Sequence, residues 1–200
     1  MKKVNPEIKS MINDIVKSIM SIFNITISTS IVSNTIKKAY SKGQDKIEEE
    51  VDRNFLPNTE ELDFLQQYSF DNIKDMNEEI KNDLRGEISR GLMNQESITK
   101  IKERVKKVIK TTENRAKMIA RTETNRAQNA GHLNAAKKSD VLKYKQWDAH
   151  IDNRTSQTCK DLDGKRIPIN QKFHWQGEEF NAPPAHVNCR STLLFFRDKK

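Results

Sequence analysis

Residues 113–147 read ENRAKMIARTETNRAQNAGHLNAAKKSDVLKYKQW, and the change of texture inside this run decides the fold class. Up to Ala136, apolar and mostly small residues recur along a helix. Ala116, Ile119, Ala120, Ala127 and Ala130 form a face on which another helix can pack closely. After Ser139 the pattern becomes Leu142-Lys-Tyr144-Lys-Gln-Trp147, the alternation of a strand. A helical part therefore gives way to a sheet-containing part near residue 139.

Upstream, Ile98, Ile101, Val105, Val108 and Ile109 mark a helix that Thr111 and Thr112 close, so the helix from about Glu113 to Ala136 reads as a separate one. Gly91 and Asn94 open a turn before it. Leu62, Leu65, Ile73, Met76, Ile80, Leu84, Ile88 and Leu92 trace a long helix with a break near Ser69, and Asn58 followed by Glu61 resembles a capping box at its start. Ser41 to Pro57 reads as a charged connection, with Gly43 near its start and Glu48, Glu49 and Glu50 in its middle. Before it, Ile8, Met11, Ile12, Ile15, Val16, Ile19, Ile22 and Phe23 form one stripe of an amphipathic helix. Ile25, Ile27, Ile31, Val32 and Ile36 continue it less regularly through β-branched surroundings. Such a stripe must be covered by its own chain, a partner subunit or a lipid surface.

Downstream, Asp152-Asn-Arg154-Thr155 is a turn that can cap a short helix carrying Cys159, and Asp163-Gly164 is a hairpin signal before Ile167-Pro168-Ile169. A loop through Pro183-Pro184, His186 and Cys189 leads to a closing apolar strand, Leu193 to Phe196. The expected class is α+β: a long helical N-terminal part followed by a small α+β module with short antiparallel strands. Three segments follow, a helical arm and charged linker (1–57), a helical region (58–138) and the small module (139–200).

Composition narrows the function. Charged residues make up 32% of the 200 against 34% hydrophobic, and the mean hydropathy is −0.84, which favours exposed helices over one large core. A net charge of +8 suits a polyanion, nucleic acid before an anionic membrane, although lysine-rich surfaces also occur simply as solvated faces. Two cysteines exclude a multi-bridge secreted framework and point to a reducing cytoplasm. Neither a secretory signal nor a membrane-spanning stretch stands out.

Cys159, His186 and Cys189 carry the sharpest chemistry. A His-x-x-Cys pair offers two ligands from one loop, and Cys159 can add a third, a donor set that suits structural zinc. His150, Asp152 and His174 are candidates for a fourth ligand. Buried reduced thiols beside a hydrogen-bonded His186 are the plainer alternative. Asp152 and Arg154 read as turn architecture, the carboxylate accepting backbone N–H bonds and the guanidinium reaching a second acidic group bidentately. A metal-dependent hydrolase or transferase using Asp152 and His186 is the enzymatic alternative, and no tight acidic cluster accompanies it. Arg121 and Glu123 read as an ion pair docking their helix on the small module. The basic run contains Lys100, Arg104, Lys107, Lys110, Arg115 and Lys117, candidates for contact with duplex phosphates. No aromatics interleave them, so the expected binding is independent of sequence.

One ordered set spans these features: Arg115-Ala116, Ile119-Ala120-Arg121-Thr122-Glu123, Ala127, Asn129, Gly131, Trp147, Asp152-x-Arg154-Thr155, Cys159, Leu162-Asp163-Gly164 and Pro183-Pro184-Ala185-His186-x-Asn188-Cys189-Arg190-Ser191. It resembles the phage Mu F-like family of head morphogenesis proteins over about residues 86–196. Members of that family often end the block with Cys-Arg-Cys, where this chain has Ser191. The resemblance implies a non-enzymatic minor head protein of a tailed bacteriophage or prophage, present in few copies inside the virion head. Its implied partners are the portal protein, packaged double-stranded DNA, and major capsid or scaffold proteins, met in the host cytoplasm during assembly. Some relatives are thought to enter the host with the genome. Others are fused to C-terminal toxin modules, which adds a carrier or adaptor role. The chain ends a few residues past the closing strand, so no effector module is expected in it.

Overall fold

The structure, a computed structural model, describes residues 6–22 and 29–198. The expectations for Phe23, Ile25 and Ile27 lie outside the described residues, as do those for the side chains of Ile8, Met11 and Ile22. The class is α+β. Four long helices, α1 (Pro6–Ile22), α2 (Thr29–Val51), α3 (Thr59–Met93) and α4 (Ile98–Lys138), precede a module of short elements. These are β1 (Tyr144–Asp148), α5 (Gln157–Leu162), β2 (Arg166–Pro168), β3 (Phe173–Trp175), β4 (Glu178–Phe180) and β5 (Thr192–Phe196). No helix among the described residues is long and apolar enough to cross a membrane.

The chain divides into two compact units, residues 1–29 with 70–117, and residues 30–69 with 118–200. In the first, Ile12, Val16 and Met20 of α1 are buried in the same unit as Ile73, Met76, Ile80, Leu84 and Ile88 of α3 and Ile109 of α4. These positions of the N-terminal stripe are therefore covered by the chain itself. Arg85 of α3 also donates from Nε to Asn13 of α1 at 2.8 Å.

Three expected helix breaks are absent. Thr111 and Thr112 stay helical because their hydroxyls donate to the Lys107 and Val108 carbonyls four residues back, at 3.0 and 2.9 Å. Ser69 sits inside α3 because its hydroxyl donates away from the backbone, to Glu123 at 3.2 Å. The supposed connection from Ser41 is helical up to Val51. Asn58 does cap α3, accepting from the Glu61 N–H at 3.2 Å. The Glu61 carboxylate turns elsewhere and accepts from the buried Tyr40 hydroxyl at 2.8 Å. Burial and that carboxylate both push the Tyr40 phenol well above its ordinary range.

The second unit is organised around the close approach of α2 and α4. A Cβ on Gly43 would stand 2.1 Å from the Gln128 carbonyl oxygen, and one on Gly131 would stand 2.1 Å from that of Tyr40. Beside this crossing lies a three-stranded antiparallel sheet of order β2-β1-β5, with a separate β3–β4 hairpin. That hairpin turns through Gln176 and Gly177, both at positive φ, in a loop where the sequence showed only turn residues. Asp163-Gly164 is not the tip of a hairpin. It follows α5, and the Gly164 N–H donates to the Trp147 carbonyl at 2.9 Å, extending the β1–β2 ladder.

On β1 the inward residues are Lys145 and Trp147, which lie opposite Phe195 and Leu193 of β5. Trp147 is fully buried and meets Phe173 edge-on at 5.2 Å between centroids. Lys145 is also fully buried, donating to the Asn181 carbonyl at 2.8 Å. Burial lowers its pKa to about 8. Between about 8 and the unfolded value of about 10.5 the native chain has released a proton that the unfolded chain keeps. Stability from this group therefore rises with pH across that window, and the full penalty is present below it. Lys145→Met is expected to raise stability at pH 7 by about 1 kcal/mol, with part of the gain offset by the abandoned carbonyl. Denaturant titrations at pH 7 and at about pH 10.5 check this, since the gain should vanish at the higher pH.

Candidate functional site

α5 is a single six-residue helix, started by Ser156, whose hydroxyl accepts from the Cys159 N–H. This orients Cys159 inward, where it is buried. The loop after Pro184 brings His186 and Cys189 to the same place, with the Cys189 N–H donating to the His186 carbonyl at 3.2 Å. The Cys159 and Cys189 sulfurs are 3.6 Å apart, and His186 Nε2 lies 3.2 Å from Cys159 Sγ. All three ligand atoms fall within 4.8 Å of one another. The structure thus gathers the three residues that the spacing singled out.

His186 has a defined tautomer. A carbonyl can only accept, so Nδ1, 2.9 Å from the Val187 oxygen, carries the proton. Nε2 keeps its lone pair and accepts from Ser156 Oγ at 2.8 Å. Ser191 donates to Cys159 Sγ at 3.3 Å. The Cys159 thiol holds the Cys189 thiol below its ordinary range, helped by Ser191 and backbone N–H groups, while the same thiol–thiol contact and burial push Cys159 up.

None of the three fourth-ligand candidates joins this group among the described residues. Asp152 is held by Arg190, which donates two hydrogen bonds to it at 2.8 and 2.6 Å. The Arg154 backbone N–H adds a third at 2.8 Å. These donors hold the Asp152 carboxyl well below the usual carboxylate range. The bidentate arginine on Asp152 is Arg190; Arg154, expected to fork onto a second acidic group, is exposed, and its guanidinium comes to 3.5 Å from Asp152 itself. Thr155 closes the turn, its hydroxyl accepting from the Asp152 N–H and donating to the His150 carbonyl, each at 2.8 Å. His150 and His174 are exposed.

The Arg121–Glu123 pair also needs correction. Two residues turn an α-helix by about 200°, so the two side chains leave α4 on different sides. Glu123 is buried and pairs with Arg126 at 3.2 Å, whereas Arg121 is exposed. The residues that do tie α4 to the cysteine loop are Thr122, Asn125 and Asn129. Thr122 accepts from the Asn188 N–H at 2.8 Å, and Asn125 donates to the Cys189 and Ser191 carbonyls at 2.9 and 3.2 Å. Asn129, buried, reaches the Ser191 carbonyl at 3.3 Å. The signal available in the sequence was their spacing, three and four residues apart on one helical face. Beside them, Arg121, Arg154 and Arg190 line an open groove of about 680 Å³ that has Cys189 in its wall.

In the first unit, two of the candidate phosphate contacts are already engaged. Arg104 forks onto Glu96 at 2.7 Å and also reaches Glu87 at 2.8 Å, and Arg115 pairs with Glu79. Lys100, Lys107, Lys110 and Lys117 are exposed.

A family model described as phage Mu protein F like protein matches residues 78–194. The chain is similar to the minor head protein GP7 of Bacillus phage SPP1, 31% identical over 129 residues that cover 60% of this chain and 42% of that protein. It is also similar to the NAD(+)–arginine ADP-ribosyltransferase EFV of Enterococcus faecalis, 28% identical over 126 residues that cover 58% of this chain and 26% of that protein. The chain spans less than half the length of either curated relative. No solved structure matches.

Proposed function

The chain belongs to the phage Mu protein F like family, and from that premise we propose that it is a minor head protein of a tailed bacteriophage or prophage, contacting portal protein and packaged DNA. The observation that carries the DNA contact is the row of lysines on α4. At about 100° per residue, Lys100, Lys106, Lys107, Lys110 and Lys117 fall within an arc of about 120°. All five are exposed, and Glu103 is the acidic residue inside that arc. A row of this kind matches a line of phosphates and does not read bases. Arg104 and Arg115 take no part in it, being committed to Glu96, Glu87 and Glu79.

The small module supports a docking role over a catalytic one. Both Asp152 oxygens are taken by Arg190, which leaves the carboxylate poorly placed to act as a base. The arginine groove offers a second anionic contact, suited to acidic side chains of a head protein. The work of such a protein lies in the virion and, during assembly, in the host cytoplasm. A second reading, a carrier or adaptor module, is favoured by the likeness to an ADP-ribosyltransferase. Regions of similar length are shared with two proteins named for different roles, which argues for a common module instead of a common activity.

Duplex binding by the full chain tests the DNA contact. It should be indifferent to base sequence, and log affinity should fall against log salt with a slope of about −4. Failure to bind any duplex at about 50 mM salt would remove DNA from the list of partners.

A further inference from the structure

We propose that Cys159, His186 and Cys189 bind one zinc ion, which ties α5 to the loop before β5. The distances carry this. Zinc with Zn–S of about 2.3 Å and Zn–N of about 2.0 Å in tetrahedral array sets two sulfurs about 3.8 Å apart, and sulfur and nitrogen about 3.5 Å apart. The observed separations are 3.6 Å between the sulfurs and 3.2 Å from Cys159 Sγ to His186 Nε2, and the third, from Cys189 Sγ to the imidazole, lies within 4.8 Å, so metal binding would draw those two ligands together. A disulfide would need the sulfurs at about 2.05 Å.

The surroundings have the features of a ligand shell. A metal-binding imidazole donates its other N–H to a fixed acceptor, and His186 does so through Nδ1 to the Val187 carbonyl. Nε2, the atom 3.2 Å from Cys159 Sγ, carries the lone pair, which Ser156 would release on metal binding. Thiolates are stabilised by donors around them, and the Ser191 hydroxyl supplies one to Cys159. Inert buried cysteines behave as small hydrophobes and need no such donors. No fourth side-chain ligand joins the three among the described residues, so the fourth position would go to water.

The fold gives the ion a task. α5 has six residues, and the stretch between β4 and β5 contains no strand or helix. Thr122, Asn125 and Asn129 hold that stretch from the α4 side. A metal would hold it from the α5 side, and its binding energy would count as folding energy for the small module.

Elemental analysis of the full chain, expressed without added metal and purified under reducing conditions, is the test. The expected result is close to one zinc per chain, and replacement by cobalt should give the intense visible absorption of a four-coordinate thiolate site. His186→Ala should weaken zinc binding by at least about tenfold. Both wild-type measurements stand even if that variant folds poorly. The proposal is overturned if the chain carries no zinc and both thiols react equally fast with a thiol reagent whether or not zinc is supplied. Formation of a Cys159–Cys189 disulfide at the same rate with and without zinc would overturn it equally.

Discussion

Gly131→Ala is expected to destabilise the folded chain by about 3 kcal/mol or more, although alanine is the better helix former. The added methyl group would lie 2.1 Å from the Tyr40 carbonyl oxygen, a backbone atom of α2 that no rotamer change can move aside. Relief requires α2 to shift bodily from α4, which opens a gap beside the buried Tyr40, Gln44 and Ile47. Gly43→Ala meets the same obstacle from the other helix, at the Gln128 carbonyl. Gly86 supplies the control. A Cβ there meets only the Arg90 guanidinium, at 3.8 Å, so Gly86→Ala should stabilise by about 1 kcal/mol through helix propensity. Thermal melts separate these outcomes, because a loss of 3 kcal/mol lowers Tm by about 10 °C in a chain of this size. Equal stability of Gly131→Ala and the wild type would mean that the two helices do not cross at these glycines.

Charge reversal at Lys107, Lys110 and Lys117 together is expected to lower duplex affinity at moderate salt by at least about 100-fold. Each lysine that neutralises a phosphate releases a counterion, and an acidic replacement adds repulsion. The substitution should also flatten the salt slope by about 3, because three contacts are lost. The side chains are exposed and none of the three is in a described ion pair, so the fold should tolerate the change. Reversal of Arg104 is the contrasting case. Removing it takes the guanidinium from Glu96 and leaves Glu87 with Arg90, and should cost stability, with little effect on the DNA slope. If the triple reversal leaves duplex binding unchanged, the charged row on α4 is a solvated face.

The sequence revealed the order of the fold and the membership of the cysteine and histidine group, because both depend on local signals. Alternation marked β1, an apolar run marked β5, Asn58 marked the start of α3, and a His-x-x-Cys spacing placed two of the three clustered side chains on one loop. What escaped notice depended on distant partners. Gly43 looked like a linker residue because its value lies in the backbone it meets on α4. Ser69, Thr111 and Thr112 looked like interruptions because weak helix formers are judged by propensity, yet their hydroxyls are satisfied elsewhere or within the helix. Lys145 would be placed outside by any polarity rule, and it is retained inside by the Asn181 carbonyl and the larger burial of Trp147. Arg190 was hidden for the same reason, since its partner Asp152 lies 38 residues away.

These observations join into one physical account. α4 runs from an exposed lysine row to a polar face of Thr122, Asn125 and Asn129 that grips the cysteine loop. The loop and α5 close a small module whose arginines surround an open groove.

Quantitative mass spectrometry of particles purified by density gradient, after nuclease digestion and a high-salt wash, tests whether the chain is part of the head. This polypeptide is expected in every preparation, at a few copies per particle. Its absence from washed particles, despite abundance in the lysate that produced them, would contradict a role as a head component.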